Sequence, residues 1–79
     1  MHIKLGLYRH YKGNLYQVIS LARHSETLEY LVVYQALYGS YGIWVRPYDM
    51  FTSPMEHNGI QVPRFAFIGE NLANAPELR

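Results

Sequence analysis

Turn-forming residues interrupt this chain so often that the segments between them have the length of strands. Four polar or glycine-containing turns are predicted, at residues 12–14, 24–27, 39–42 and 58–59. The last is Asn-Gly, the dipeptide that two-residue hairpin loops prefer. Six strands fit between and around these turns, at residues 7–11, 15–23, 28–38, 43–46, 52–57 and 60–68. The sequence therefore predicts an all-β fold.

Residues 25–38 also fit a second structure. A helix capped by Ser25 would place Leu28 and Val32 on one face, although Gln35 would interrupt that face. The many β-branched and tyrosine side chains of this segment favour a strand instead. Both alternating sets of side chains are largely apolar, so we expect a central strand that is covered on both faces.

A helical turn is expected late in the chain. Pro47 ends the strand at 43–46, and residues 47–51 are too few for a helix but suit one 3₁₀ turn. Five to six short strands with a single 3₁₀ turn before the last strand describe a small SH3-like open barrel. The alternative is a meander that dimerises to complete its core. We assign residues 1–68 to this domain and residues 69–79 to a loose C-terminal tail.

Length and composition exclude several classes of protein. A chain of 79 residues buries roughly 60–65% of its unfolded surface, which allows one core. It has no cysteine, so disulfides, thiol catalysis and cysteine-ligated zinc are excluded. A net charge of +1 argues against a strongly basic nucleic-acid clamp. The aromatic residues include eight tyrosines, which suit half-buried positions of a small barrel or a binding surface.

Several motif blocks in order resemble those of a known family. They are Tyr8-Arg9-His10-Tyr11-Lys12-Gly13, Ala22-Arg23-His24-Ser25-Glu26-Thr27, Val32-Val33-Tyr34-Gln35-Ala36-Leu37-Tyr38, Trp44-Val45-Arg46-Pro47, Met50-Phe51 and Val62-Pro63-Arg64-Phe65. The chain is similar over about residues 6–68 to a family of short bacterial proteins of unknown function. The resemblance implies a stand-alone bacterial domain. It implies no activity and no catalytic residues.

Charged and aromatic side chains within these blocks are the candidate binding residues. Side chains alternate along a strand, so Trp44 and Arg46 share a face, as do Arg9 and Tyr11. Arginine beside exposed rings stacks on bases or holds a phosphate or carboxylate; the alternative is that it only covers tyrosine rings. Trp44 and Tyr34 are expected in the core or in a groove at its exposed edge. The candidates are Arg9, His10, Arg23, His24, Tyr34, Trp44, Arg46 and Asp49.

A small enzyme is the alternative function. His24 and Glu26 flank Ser25, and Asp49 offers a distant acid for proton transfer. Adjacent residues on a turn rarely face one another, however, and no nucleophile-elbow sequence surrounds Ser25. The sequence therefore favours a non-catalytic binding module for a peptide, a protein or a single-stranded nucleic acid.

The remaining expectations concern cofactors, partners and location. The four histidines show no short metal-ligand spacing, so no metal or cofactor is expected. A homodimer is one way to cover the second apolar face of segment 28–38; the alternative is that Tyr30, Tyr34 and Tyr38 lie exposed singly. No apolar run approaches the roughly 18 residues that a membrane span needs. Residues 1–10 lack the apolar core of a secretory signal, so a cytoplasmic location is expected.

Overall fold

Seven short strands and one helical turn make up residues 1–71, the part of the chain that this computed structural model describes. They are β1 (Gly6–His10), β2 (Leu15–Arg23), β3 (Tyr30–Ala36), β4 (Ile43–Pro47), α1 (Tyr48–Thr52), β5 (Pro54–His57), β6 (Ile60–Pro63) and β7 (Phe65–Gly69). The all-β prediction is confirmed. Of the predicted tail, Gly69 is the last residue of β7, and residues 72–79 lie outside the described residues.

Five strands form one antiparallel sheet in the order β4-β3-β2-β1-β7. Successive hairpins build β1 to β4, and β7 then returns to pair with the free side of β1. The helical turn α1 follows β4, as expected, but β5 and β6 stand between it and the last strand, whereas the SH3-like prediction places it just before that strand. Strands β5 and β6 form a separate two-stranded sheet, and the pairings among residues 1–71 do not close a barrel.

The structure corrects three details of the prediction. It has seven strands rather than five or six. Segment 60–68 is two strands, because residues up to Pro63 pair with β5 whereas Phe65 and its successors pair with β1. The turn predicted as 3₁₀ is the five-residue α-helix α1, in which the Thr52 hydroxyl donates to the carbonyl of Tyr48, four residues earlier.

The helical alternative for residues 25–38 is wrong, and the strand prediction is confirmed. Leu28 has a φ of 63°, a left-handed conformation that a right-handed helix excludes. Strand β3 then lies between β2 and β4, as expected of a central strand. One face of β3 is buried, while the opposite face, which carries Leu31 and Val33, is half-buried. The expected cover on both faces is therefore complete on one face only.

The core lies on one face of the sheet, which we call the inner face. Phe51 of α1 is 1% exposed and stacks on Phe65 of β7, with ring centroids 4.1 Å apart. This stacking contact holds the helical turn α1 against the sheet. The buried cluster consists of Tyr8, Val18, Val32, Tyr34, Phe51 and Phe65.

Candidate binding site on the inner face

Aromatic rings continue from the core to the end of the inner face near the β1–β2 turn. Phe65 is their common partner. The rings of His10, Tyr16 and Tyr34 meet it edge-on, with centroids 4.9, 5.5 and 5.7 Å away. Each such aromatic pair contributes about 0.5–1.5 kcal/mol beyond simple burial. This part of the inner face is therefore a rigid wall of rings.

Arg46 brings a positive charge to this wall. Its Nε donates to the Tyr34 hydroxyl at 3.4 Å, and its guanidinium carbon lies 5.7 Å from the centroid of the Phe65 ring. Within residues 1–71, none of the contacts of Arg46 is with a carboxylate. We call His10, Tyr16, Tyr34, Arg46 and Phe65 the Arg46 cluster.

His10 is held neutral within this cluster. Its Nδ1 accepts a hydrogen bond from the backbone N–H of Lys12 at 3.2 Å. Burial lowers the pKa of His10 below its ordinary value, and the positive charges of Arg46, Lys12 and Arg64 lower it further. The shift shows that three cations act on one imidazole at this end of the sheet.

Tyr16 is held as a hydrogen-bonding phenol. Its hydroxyl lies 2.8 Å from that of Tyr38, so the two share a hydrogen bond. Burial raises the pKa of Tyr16 to about 12, and the bond to Tyr38 and the neighbouring phenols add to the rise, although Arg46 opposes it. The Tyr16 hydroxyl therefore stays protonated at neutral pH and offers the site a neutral polar edge.

Exposed aromatic side chains border the cluster. Trp44 is 61% exposed, and it faces the buried Tyr34 across the β3–β4 pair. Its indole lies against the backbone of Gly42, where an added Cβ would come within 3.2 Å of Nε1. Tyr38 is 44% exposed, and its ring meets that of Tyr16 edge-on with the centroids 5.7 Å apart. Trp44 and Tyr38 therefore form an accessible rim.

The predicted site residues fall into two groups. Four of them come together on the inner face: His10, Tyr34, Trp44 and Arg46. Tyr34 contributes only its hydroxyl, since the ring is 6% exposed and belongs to the core. The other four lie elsewhere: Arg9, Arg23, His24 and Asp49.

Arg9 lies on the other face of β1, next to His10 in sequence but opposite to it in orientation. It lines a groove of ≈ 330 Å³ between β1, β7 and the β5–β6 hairpin, together with Tyr11 and His57. Arg23 lies at the far end of the sheet, 4.6 Å from the centroid of the Tyr30 ring. Neither arginine therefore adds to the Arg46 cluster.

His24, the base of the enzymatic alternative, has a structural role. His24 Nδ1 accepts hydrogen bonds from the backbone N–H groups of Glu26 and Thr27, at 3.1 and 3.3 Å. These bonds fold the β2–β3 turn and use the imidazole lone pair that a general base needs. Asp49 is exposed in the first turn of α1.

Within residues 1–71, no group of three or more histidine, aspartate or glutamate side chains is arranged to hold a metal ion. Nor does any helix in this range have the length and apolar character to cross a bilayer.

Sequence reasoning missed three members of the site. Tyr16, Tyr38 and Phe65 were not among the candidates, although all three line the inner face. Arg64 was noted only as part of a motif. Its Nε is buried and has no hydrogen-bond acceptor within residues 1–71. The available signal was alternation: Tyr16 shares a strand face with the buried Val18.

Comparison with known proteins places the chain in a family. A family described as "Protein of unknown function (DUF1653)" matches residues 6–67. A crystal structure of a DUF1653 protein from Bordetella bronchiseptica is similar, with 37% sequence identity and a TM-score of 0.80 over 86% of this chain and 90% of that chain. The comparison with curated proteins gives no match. The expected resemblance to a family of unknown function is thus confirmed, and the chain belongs to DUF1653.

Proposed function

We propose that this chain is a non-catalytic binding module that takes a single-stranded nucleic acid across the Arg46 cluster. The observation that carries the proposal is the setting of Arg46. Its guanidinium is held by the neutral Tyr34 hydroxyl and the Phe65 ring, with no carboxylate among its contacts in residues 1–71. A guanidinium held in this way keeps its full charge and its terminal donors for a phosphate oxygen.

The distribution of charge supports a phosphate ligand. The positive charges of Arg46, Lys12 and Arg64 all lower the pKa of His10, so three cations lie near this imidazole at this end of the sheet. Glu26 and Glu29 flank the β2–β3 turn, which antiparallel pairing places at the opposite end of the sheet from Lys12. The local field at the cluster is therefore positive although the whole chain is nearly neutral.

The exposed rings favour a nucleic acid over a peptide. Trp44 and Tyr38 are 61% and 44% exposed beside the cluster. Each base stacked on such a ring contributes about 1–3 kcal/mol, and stacking tolerates any base sequence. A peptide would need acidic side chains to match the cations and would leave most of these rings uncovered.

Fluorescence anisotropy with end-labelled ten-nucleotide oligo(dT) and oligo(U) tests the proposal. Arg46→Gln should weaken binding by roughly 10–100-fold, as expected for a lost charge-assisted hydrogen bond. Arg23→Gln is the matched control, because Arg23 likewise lies near an aromatic ring, that of Tyr30, but at the other end of the sheet. The control should bind like the parent. With three cations involved, the logarithm of affinity should fall with that of salt at a slope near −2.

Two results would contradict the nucleic-acid proposal. One is the absence of binding to either oligonucleotide at protein concentrations up to several hundred micromolar. The other is tighter binding of a labelled oligo-glutamate peptide, which would identify an acidic peptide as the ligand.

Trp44→Ala provides a second variant. The Trp44 side chain is exposed, so weaker binding with an unchanged melting temperature would confirm that the rim contacts the ligand.

A further inference from the structure

Strand β4 forms one edge of the sheet, and some of its backbone groups have no partner within residues 1–71. Ala36 N–H donates to the carbonyl of Gly42 at 2.9 Å, so Gly42 belongs to a hydrogen-bonded pair with β3. Backbone direction alternates along an antiparallel strand, and Ile43 and Val45 therefore turn their N–H and C=O groups away from β3. Pro47 shares this outward direction, which is where a strand tolerates proline.

The side chains of β4 leave this edge unprotected. Ile43, Trp44 and Val45 are consecutive, uncharged and 62%, 61% and 58% exposed. Monomeric proteins protect such an edge with a lysine, a bulge or a cover, because an open apolar edge pairs with other strands. At the opposite edge of the sheet, the Lys4 ammonium lies 4.9 Å from the centroid of the exposed Phe67 ring. Strand β4 has no comparable charge between Ile43 and Val45.

We propose that β4 pairs antiparallel with β4 of a second copy of this chain, so that one sheet runs through both copies. A two-fold axis at Trp44 would set Ile43 opposite the second copy's Val45, and Val45 opposite its Ile43. Both residues turn their backbone groups outward, so each pair exchanges two hydrogen bonds. The paired residues are uncharged and apolar, and self-pairing therefore brings no like charges together.

A second copy fits this edge better than an unrelated strand for two reasons. The segment is complementary to itself in this register, and symmetric pairs are the commonest oligomers. The face of the sheet opposite to the inner face also continues across the axis, because Val45 lies opposite the half-buried Val33 of β3. A contact of three residues a side is small, so we expect a reversible dimer with a Kd of roughly 10–100 µM.

Sedimentation of the full chain between 5 and 500 µM tests the proposal. The parent mass should rise from 9.2 kDa towards twice that value. Val45→Lys should stay monomeric over the whole range, because each copy would then place a lysine opposite the apolar Ile43 of the other copy. Ile60→Lys is the matched control: it adds the same charge at an apolar residue of β6 that is 65% exposed, and it should dimerise like the parent.

Hydrogen exchange gives an independent readout that does not rely on a variant. The amides of Ile43 and Val45 point away from β3, so they should exchange quickly at 5 µM. With the Kd given above, exchange through the monomer should be roughly three- to sevenfold slower at 500 µM. A parent that remains at 9.2 kDa at 500 µM would overturn the proposal and leave the edge to a strand of another protein. A Val45→Lys variant that dimerises like the parent would also overturn it, because the second copy would then bind elsewhere.

Discussion

Tyr34 and Trp44 face each other across β3 and β4, yet only one of them is buried. Tyr34 is 6% exposed, because β2 and α1 lie on either side of it, whereas Trp44 is 61% exposed on an edge strand. Similar side chains in paired positions therefore have different roles: one stabilises the core and one remains available for contacts. Sequence alternation places both on the same face but does not show which strand is the edge.

Residue-scale stability should follow this difference in burial. Phe51→Ala should lower the free energy of unfolding by about 3–5 kcal/mol, because Phe51 is 1% exposed and contacts the rings of Tyr8, Tyr34 and Phe65. Trp44→Ala should lower it by less than about 1 kcal/mol. Urea denaturation followed by circular dichroism measures both values. Equal losses in the two variants would place Trp44 in the core.

His10 should make stability depend on pH. Its folded-state pKa lies below the ordinary 6.5, so the unfolded chain takes up this proton first as the pH falls. The stability that neutral His10 contributes is complete above about pH 6.5 and is lost progressively below it. Urea denaturation at pH 7.5 and 5.5 should show a smaller loss in His10→Gln than in the parent. An identical loss in both proteins would assign the effect to other groups.

At the scale of elements, local sequence signals such as turn-forming residues were enough to predict most of the strands and turns. Asn58 and Gly59 have φ values of 54° and 78°, so the Asn-Gly turn that was predicted is the one observed. The end of β6 was missed because the apolar pattern continues through Pro63 and Phe65 while the pairing partner changes from β5 to β1. Which strand a segment pairs with depends on the whole topology, and hydrophobic alternation does not record it.

The candidate site was predicted only in part for the same reason. His10, Tyr34, Trp44 and Arg46 were identified from charge beside aromatic residues. Phe65 was missed because it reaches the cluster through the pairing of β7 with β1, two segments at opposite ends of the described chain. Residues that meet through distant strands leave no spacing signal in the sequence.

The pairing of β1 with β7 depends on Gly6. This residue has a φ of 137°, and an added Cβ would lie 2.6 Å from the Gly69 carbonyl oxygen. Gly6→Ala should therefore cost about 3 kcal/mol or more in unfolding free energy, from both backbone strain and the clash.

Gly13→Ala is the matched control for this substitution. Gly13 also has a positive φ, 108°, but no atom lies within 4 Å of its added Cβ. It should cost only the strain, about 1–2 kcal/mol. Chemical denaturation of both variants compares them, and a Gly13→Ala loss as large as that of Gly6→Ala would show that the approach of Gly69 is not what matters.

At the scale of the whole molecule, stability is unevenly distributed. The five-stranded sheet contains the core. Within residues 1–71, strands β5 and β6 pair only with each other and contribute no residue to the buried cluster. Phe51 and Phe65 flank this hairpin in sequence and stack on each other. The β5–β6 hairpin between them is therefore anchored to the core at both ends.

Hydrogen exchange of the native protein should separate these two parts. An isolated two-stranded hairpin is marginally stable in water, so local opening should expose β5 and β6 without unfolding the sheet. We expect amides in β5 and β6 to exchange about 100-fold faster than those of Val18 and Val32 in the core strands. Uniform protection across both sheets, measured by NMR, would mean that the hairpin opens only with the whole molecule.

The exposure of Trp44 also determines what tryptophan fluorescence can report about this protein. It is the single tryptophan of the chain, and it sits in water at the sheet edge instead of in the core. Its emission in the native state should therefore already be red-shifted, and denaturation should change the wavelength little. A blue shift or quenching in the folded protein would instead signal that something has covered β4 or stacked on the indole. The emission of Trp44 is thus sensitive to binding at β4 and insensitive to unfolding.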